Sequence, residues 1–96
     1  EGIEKHPDDA RMYRHRGHRY ITLREFDKAI DDFTRALEHD PKLVWAYVNR
    51  GLARFYLGNE AEAQKDFDEC LRLKPDLKAQ LDAKLELARS LRANKK

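Results

Sequence analysis

Arg11, Arg14, His15 and His18 follow one another at steps of three, one and three residues. On a helix, that spacing gathers them on one face. Their joint chemistry is anion capture. Guanidinium groups make bidentate, charge-assisted hydrogen bonds to carboxylates, and imidazoles add charge that depends on pH. Further along stand Trp45, Val48, Asn49, Leu52 and Tyr56, with Phe55 beside them. Trp45 offers a large apolar surface and one donor, as residues that dominate binding energy often do. Asn49 can hydrogen-bond a peptide backbone.

Other chemistry is poorly supported. His15 and His18 could share a metal, but no third ligand is obvious nearby, so they read as pH-sensitive surface groups. Cys70 is the single cysteine, which excludes an intrachain disulfide, and it has no evident activating base. It reads as a small buried side chain. No Gly-rich phosphate loop, nucleophile elbow or metal-binding helix motif is present. No catalytic set and no cofactor is implied. Asp31, Asp32, Asp66, Asp68 and Glu69 alternate with Lys28, Arg35, Lys65 and Arg72. They are expected on exposed helix faces as solubilising pairs, each worth about 0.2–0.5 kcal/mol. His6 and His39 precede prolines at helix ends, where a cation is mildly favoured.

The net charge of +2 is too small to suggest nucleic acid as a partner. No apolar run approaches membrane-spanning length. One thiol fits a reducing compartment such as the cytoplasm slightly better than an oxidising one. No signal peptide is visible, and a chain starting at Glu1 rather than Met says nothing about one upstream.

The elements that must position these residues are helices. Charged residues make up 40% of the 96, so any core is thin. A stack of helices tolerates this, because each buries one stripe and solvates the rest. Helical periodicity predicts five segments, at about Asp9–Leu23, Glu25 or Phe26–Glu38, Leu43–Leu57, Asn59–Leu73 and Asp76–Leu91 or Ala93. Pro7, Pro41 and Pro75 punctuate them. Asp8 and Asp76 are expected as N-caps. Gly58-Asn59 forms one turn, with Gly58 in the left-handed position. The matching Arg24-Glu25 lacks glycine and is expected to be less relaxed.

The three prolines are 34 residues apart. The same shift superimposes Tyr13 on Tyr47, Arg16 on Arg50, Gly17 on Gly51, Ala29 on Ala63, Asp32 on Asp66, Phe33 on Phe67 and Leu37 on Leu71. A fixed period of this length marks stacked supersecondary units. Mid-helix Gly17 and Gly51 cost about 1 kcal/mol each in propensity, so a close helix approach is expected there. Ala29 and Ala63 are expected to face that contact, with Phe33 and Phe67 filling a wider gap one turn on. Glu60 and Gln64 replace Phe26 and Ile30, so the second unit is expected to pack less tightly there.

These positions resemble the tetratricopeptide repeat family. The first unit reads Tyr13, Arg16, Gly17, Tyr20, Ala29, Phe33, Ala36, Pro41, and the second Tyr47, Arg50, Gly51, Arg54, Ala63, Phe67, Cys70, Pro75. Arg16 and Arg50 depart from the pattern at an apolar position, and Arg54 replaces a tyrosine. The resemblance implies an all-α solenoid of antiparallel helix pairs in a single domain. Residues 1–7 would be the remnant of a preceding repeat, 8–41 and 42–75 two repeats, and 76–96 a capping helix and frayed tail.

The resemblance further implies a non-catalytic protein-interaction scaffold that binds a peptide in a concave groove lined by the first helix of each pair. By position, its walls would be Arg11, Arg14, His15, His18 and Thr22, then Trp45, Val48, Asn49, Leu52 and Tyr56, then Ala79, Asp82, Ala83, Glu86 and Arg89. The implied partner is a protein or peptide carrying acidic groups and an apolar anchor. Some family members grip the carboxylates of chaperone tails. Asn49 matches that clamp, but Arg14 replaces a lysine, His18 an asparagine, and Ala79 and Ala83 two cations. The clamp is incomplete. The competing reading places Arg11 and Arg14 on a solvated face and packs Trp45 on a further repeat or a second copy, making the chain a self-association module or the end-piece of a longer array.

Overall fold

The structure, a computed structural model, describes residues 8–94. The expected remnant at 1–7 and the last two residues of the tail lie outside them. Five helices run in order: α1 (Asp8–Thr22), α2 (Phe26–His39), α3 (Val44–Tyr56), α4 (Glu60–Leu73) and α5 (Lys78–Asn94). No strand occurs among the described residues. α1 packs on α2 and α3 on α4, α2 joins the two pairs through α3, and α5 closes the stack against α3. This is the expected all-α solenoid of antiparallel helix pairs.

Two linked clusters form the core. Ala29, Phe33, Ala36, Leu37, Ala46 and Ala53 fill the space between α2 and its neighbours. Val48, Phe55, Ala63, Phe67, Cys70, Leu81 and Ala88 fill the space between α3, α4 and α5. Cys70 is fully buried. Burial raises its thiol pKa, so the nucleophilic thiolate is disfavoured.

The partner helix closes on both glycines as expected, but the atoms nearest to each belong to a phenylalanine, a residue expected across a wider gap. A Cβ at Gly17 would lie 2.8 Å from the Phe33 ring, and one at Gly51 would lie 2.5 Å from the Phe67 ring. Alanine at 29 and 63 lets the helices draw close enough for the rings to be seated there. Each ring closes over bare backbone, which is why a poor helix former is kept mid-helix.

Both helix-pair turns end in the same hydrogen-bonded motif. The Glu25 N–H donates to Tyr20 O at 2.8 Å and the Arg24 N–H to Ile21 O at 3.0 Å. The Asn59 N–H donates to Arg54 O at 2.9 Å and the Gly58 N–H to Phe55 O at 3.0 Å. This closure places one residue in left-handed geometry. Gly58 takes it at φ 89° and Arg24 at φ 64°. Arginine is strained there and glycine is not. We therefore expect Arg24→Gly to stabilise the fold and Gly58→Ala to destabilise it, each by about 1 kcal/mol. Urea denaturation of both variants checks the opposed signs.

The cap expected at Asp76 does not form. Asp76 lies inside a 3-10 turn at Pro75–Leu77 that makes no side-chain cap, and Asp8 is itself the first residue of α1. The Asp76 carboxylate instead approaches Lys74 at 3.7 Å. Proline at the first position of the turn needs no N–H partner, so the helix start is set by backbone geometry instead.

Candidate functional site

The expected site divides between α1 and α3. Arg11, Arg14, His15 and His18 are all exposed on α1. Four cationic or titratable groups share this face because, among the described residues of α1, only Gly17 is buried, with Ala10, Tyr13, Tyr20 and Ile21 half-buried. α3 is sandwiched between α2 and α5, so its side chains are more covered. Trp45, Asn49, Leu52 and Tyr56 are half-buried there.

One contact joins the two walls. The Arg14 guanidinium lies 5.1 Å from the centre of the Trp45 ring. Trp45 is held in turn by Phe33, edge to face at 6.2 Å. The core thus fixes the indole, and the indole places the guanidinium. Cation–π contact and stacking leave the guanidinium N–H groups free to hydrogen-bond in the ring plane. Trp45 therefore packs within its own chain, and its half-buried ring still offers surface.

The other expected residues scatter. Tyr56 stacks on Phe26 at 5.0 Å with the rings nearly parallel, which ties α3 to α2. Leu52 packs against the second core cluster. Val48 is 8% exposed and lies inside that cluster, against α5. It is mostly core, and its remaining surface faces a small crevice beside Leu81 and Lys84 of α5. Asn49 keeps an amide with no hydrogen bond to any described residue and lies one helical turn beyond Trp45. The structure therefore gathers Arg14 and Trp45 and leaves Asn49 close along α3. Tyr56 and Val48 also pack α3 against its neighbours.

The acidic residues require a correction. Asp32 and Asp66, expected on exposed faces, are buried to 2% and 3% exposure. Arg16 donates to Asp32 through Nε at 2.9 Å and Nη2 at 2.8 Å. This paired carboxylate holds the Arg16 guanidinium even more firmly protonated than usual. Arg50 donates to Asp66 through Nε at 3.1 Å and Nη2 at 2.8 Å, and Arg54 adds a third bond at 2.9 Å. Nη1 of Arg50 also reaches across to Thr34 Oγ1 of α2 at 3.1 Å. These are structural clasps, and Arg50 fastens one repeat to the next. They also explain why Arg16, Arg50 and Arg54 depart from the apolar and aromatic pattern. A signal was available in the sequence: Arg and Asp recur together 16 residues apart in both units. Asp31, Asp68 and Glu69 do form surface pairs with Arg35, Gln64 and Arg72.

The looser start of the second unit is visible as a cavity of about 410 Å³ lined by Phe55, Glu60, Ala63, Gln64, Phe67, Leu85, Arg89 and Arg92. No group of three or more metal-ligating side chains occurs among the described residues, and none of their helices is long and apolar enough to cross a membrane.

Paired helices in this register, with ring-on-glycine contacts repeated in each unit, define a helical-repeat protein-interaction module. The tetratricopeptide repeat family model matches residues 10–43 and 44–77, and the chain belongs to that family. It is 32% identical over 81 residues to human tetratricopeptide repeat protein 12, covering 84% of this chain and 12% of the relative. It is 31% identical over 86 residues to rat serine/threonine-protein phosphatase 5, covering 90% of this chain and 17% of that protein. It is 27% identical over 82 residues to the Hsp70-Hsp90 organizing protein of Triticum aestivum, covering 85% of this chain and 14% of that protein. The chain thus spans less than a fifth of the length of each of these three relatives.

Proposed function

We propose that this module binds an acidic peptide segment of a protein partner across α1 and α3, without catalysing a reaction. The observation that carries the reading is the Arg14–Trp45 contact, which holds a guanidinium over the face of a partly exposed indole. Arg14 would pair with a carboxylate of the peptide, and Trp45 would cover an apolar side chain beside it. Asn49 would bond the peptide backbone, and Arg11, His15 and His18 would add a positive field along α1. The similarity to an Hsp70-Hsp90 organizing protein supports a protein partner in general. It does not extend to a chaperone tail, because Ala79 and Ala83 supply no cations on α5.

The test is fluorescence anisotropy with peptides selected from an Asp- and Glu-rich library. Arg14→Ala with Trp45→Ala should weaken binding at least about 30-fold, because a buried aromatic and a charge pair each contribute about 1–2 kcal/mol. Affinity should also fall as salt rises. Unchanged affinity in the double variant removes the assignment.

A further inference from the structure

We propose that the acidic segment carries a second anchor, a leucine-sized aliphatic side chain four residues from the carboxylate that Arg14 takes. It seats in a crevice where α1, α3 and α5 end. The inference rests on the α1–α3 reading and extends it to the far end of the same surface.

The two helix faces lead to one place. On α1, Arg11, Arg14, His15, His18 and Thr22 share a face, and on α3 so do Trp45, Asn49, Leu52 and Tyr56. Thr22 and Tyr56 are the last residues of their helices. Both line a crevice of about 180 Å³, together with Ile21, Arg24, Phe26 and Leu91. Trp45 stands in the first turn of α3, so the Arg14–Trp45 contact and the crevice mark opposite ends of one surface. The stacked rings of Phe26 and Tyr56 form the floor. α5 supplies the open wall through Leu91, which is 43% exposed. The Thr22 hydroxyl already donates to His18 O at 3.2 Å. What remains to be covered is chiefly apolar surface, and covering it with another apolar group is favourable.

Size and charge select the occupant. Small-molecule pockets begin at roughly 300 Å³, so this crevice suits a single side chain instead. Among the described residues that line it, Arg24 alone is charged. The acids of the segment therefore meet no anion in the lining.

Helix geometry sets the spacing. α3 rises about 16 Å from Trp45 to Tyr56, and α1 rises about 12 Å from Arg14 to Thr22. An extended peptide advances about 3.3 Å per residue and alternates its side chains between two sides. Four residues thus span about 13 Å and keep both anchors on the same side, whereas three or five residues would point them apart.

The probes are acetyl-Asp-Ser-Gly-Ser-Leu-amide and its reverse, acetyl-Leu-Ser-Gly-Ser-Asp-amide, titrated into the isotope-labelled whole chain. With one of them, saturable shifts are expected together at the Trp45 indole and at the amides of Ile21, Phe26, Tyr56 and Leu91. Replacing the leucine of that probe by alanine should remove the second group of shifts and weaken binding about tenfold. Moving the leucine one residue nearer the aspartate should do the same. Thr22→Phe fills the crevice and Leu91→Glu removes its apolar wall. Both side chains are exposed, so the fold should survive either change. Each variant should bind the leucine probe about tenfold more weakly and the alanine probe unchanged. A saturable indole shift with silent crevice amides would overturn the second anchor alone, as would equal affinity for the leucine and alanine probes. No saturable shift at either end up to about 10 mM would overturn the second anchor and the α1–α3 reading together.

Discussion

Asp66→Asn is expected to destabilise the protein by about 3 kcal/mol, near the lower end for breaking a buried ion pair. Asp66 accepts three hydrogen bonds from two arginines at a site almost closed to water. Asparagine keeps the shape but removes the charge and turns one acceptor into a donor facing guanidinium groups. The arginine side chains stay 15% and 22% exposed, so water relieves part of the penalty. Asp32→Asn should cost less, about 1–2 kcal/mol, because Asp32 has one arginine partner whose side chain is half exposed. Replacing the trio together, as Arg50→Met, Arg54→Tyr and Asp66→Leu, should recover most of the loss, since apolar groups of similar volume often substitute for buried charges. Urea denaturation measures all three. Equal costs at Asp32 and Asp66 would contradict the two-arginine clasp.

Gly51→Ala is expected to cost about 2 kcal/mol, against the direction that helix propensity predicts. Propensity favours alanine by about 1 kcal/mol. The added methyl would sit 2.5 Å from the Phe67 ring, well inside van der Waals contact. Phe67 is 3% exposed and shares a cluster with Val48, Phe55 and Cys70, so the ring can yield only by leaving that packing toward the cavity it lines. Overpacking a filled core costs up to about 3 kcal/mol, which outweighs the gain. A shorter side chain relieves the clash, so Phe67→Leu should cost less in the alanine background than in wild type. That non-additivity in a double-mutant cycle is the signature of direct contact. Strict additivity would show that the two residues do not meet.

Much of this architecture is legible in the sequence because its units repeat. Recurrence at 34 residues sets the pairing of the helices, and Pro41 and Pro75 place the breaks close to where they fall. The strain at Arg24 follows from reading that turn against Gly58, and the open junction follows from reading Glu60 against Phe26. The buried aspartates were hidden because burial of a charge depends on a partner from another helix, and local spacing with Arg35 and Arg72 supplied a simpler surface explanation. The choice of phenylalanine over alanine as the glycine's neighbour depends on ring direction, which a one-dimensional register does not fix. Val48 lies beside Asn49 in sequence, yet it is buried in the cluster with Leu81 of α5 while Asn49 is half-buried, because successive helical residues point about 100° apart. The Arg14–Trp45 contact crosses two helices and carries no recurrence at all, since a shift of 34 residues brings Val48 of α3 and Ala79 of α5 to those positions.

The most direct test of the peptide-binding claim is a titration of isotope-labelled chain with the tightest peptide from the acidic library, following backbone amides and the Trp45 indole N–H. Shifts should centre on Arg14, His18, Trp45 and Asn49, with the indole signal among the largest. Tight binding whose shifts fall on the outer faces of α2 and α4, with the indole unmoved, would contradict it.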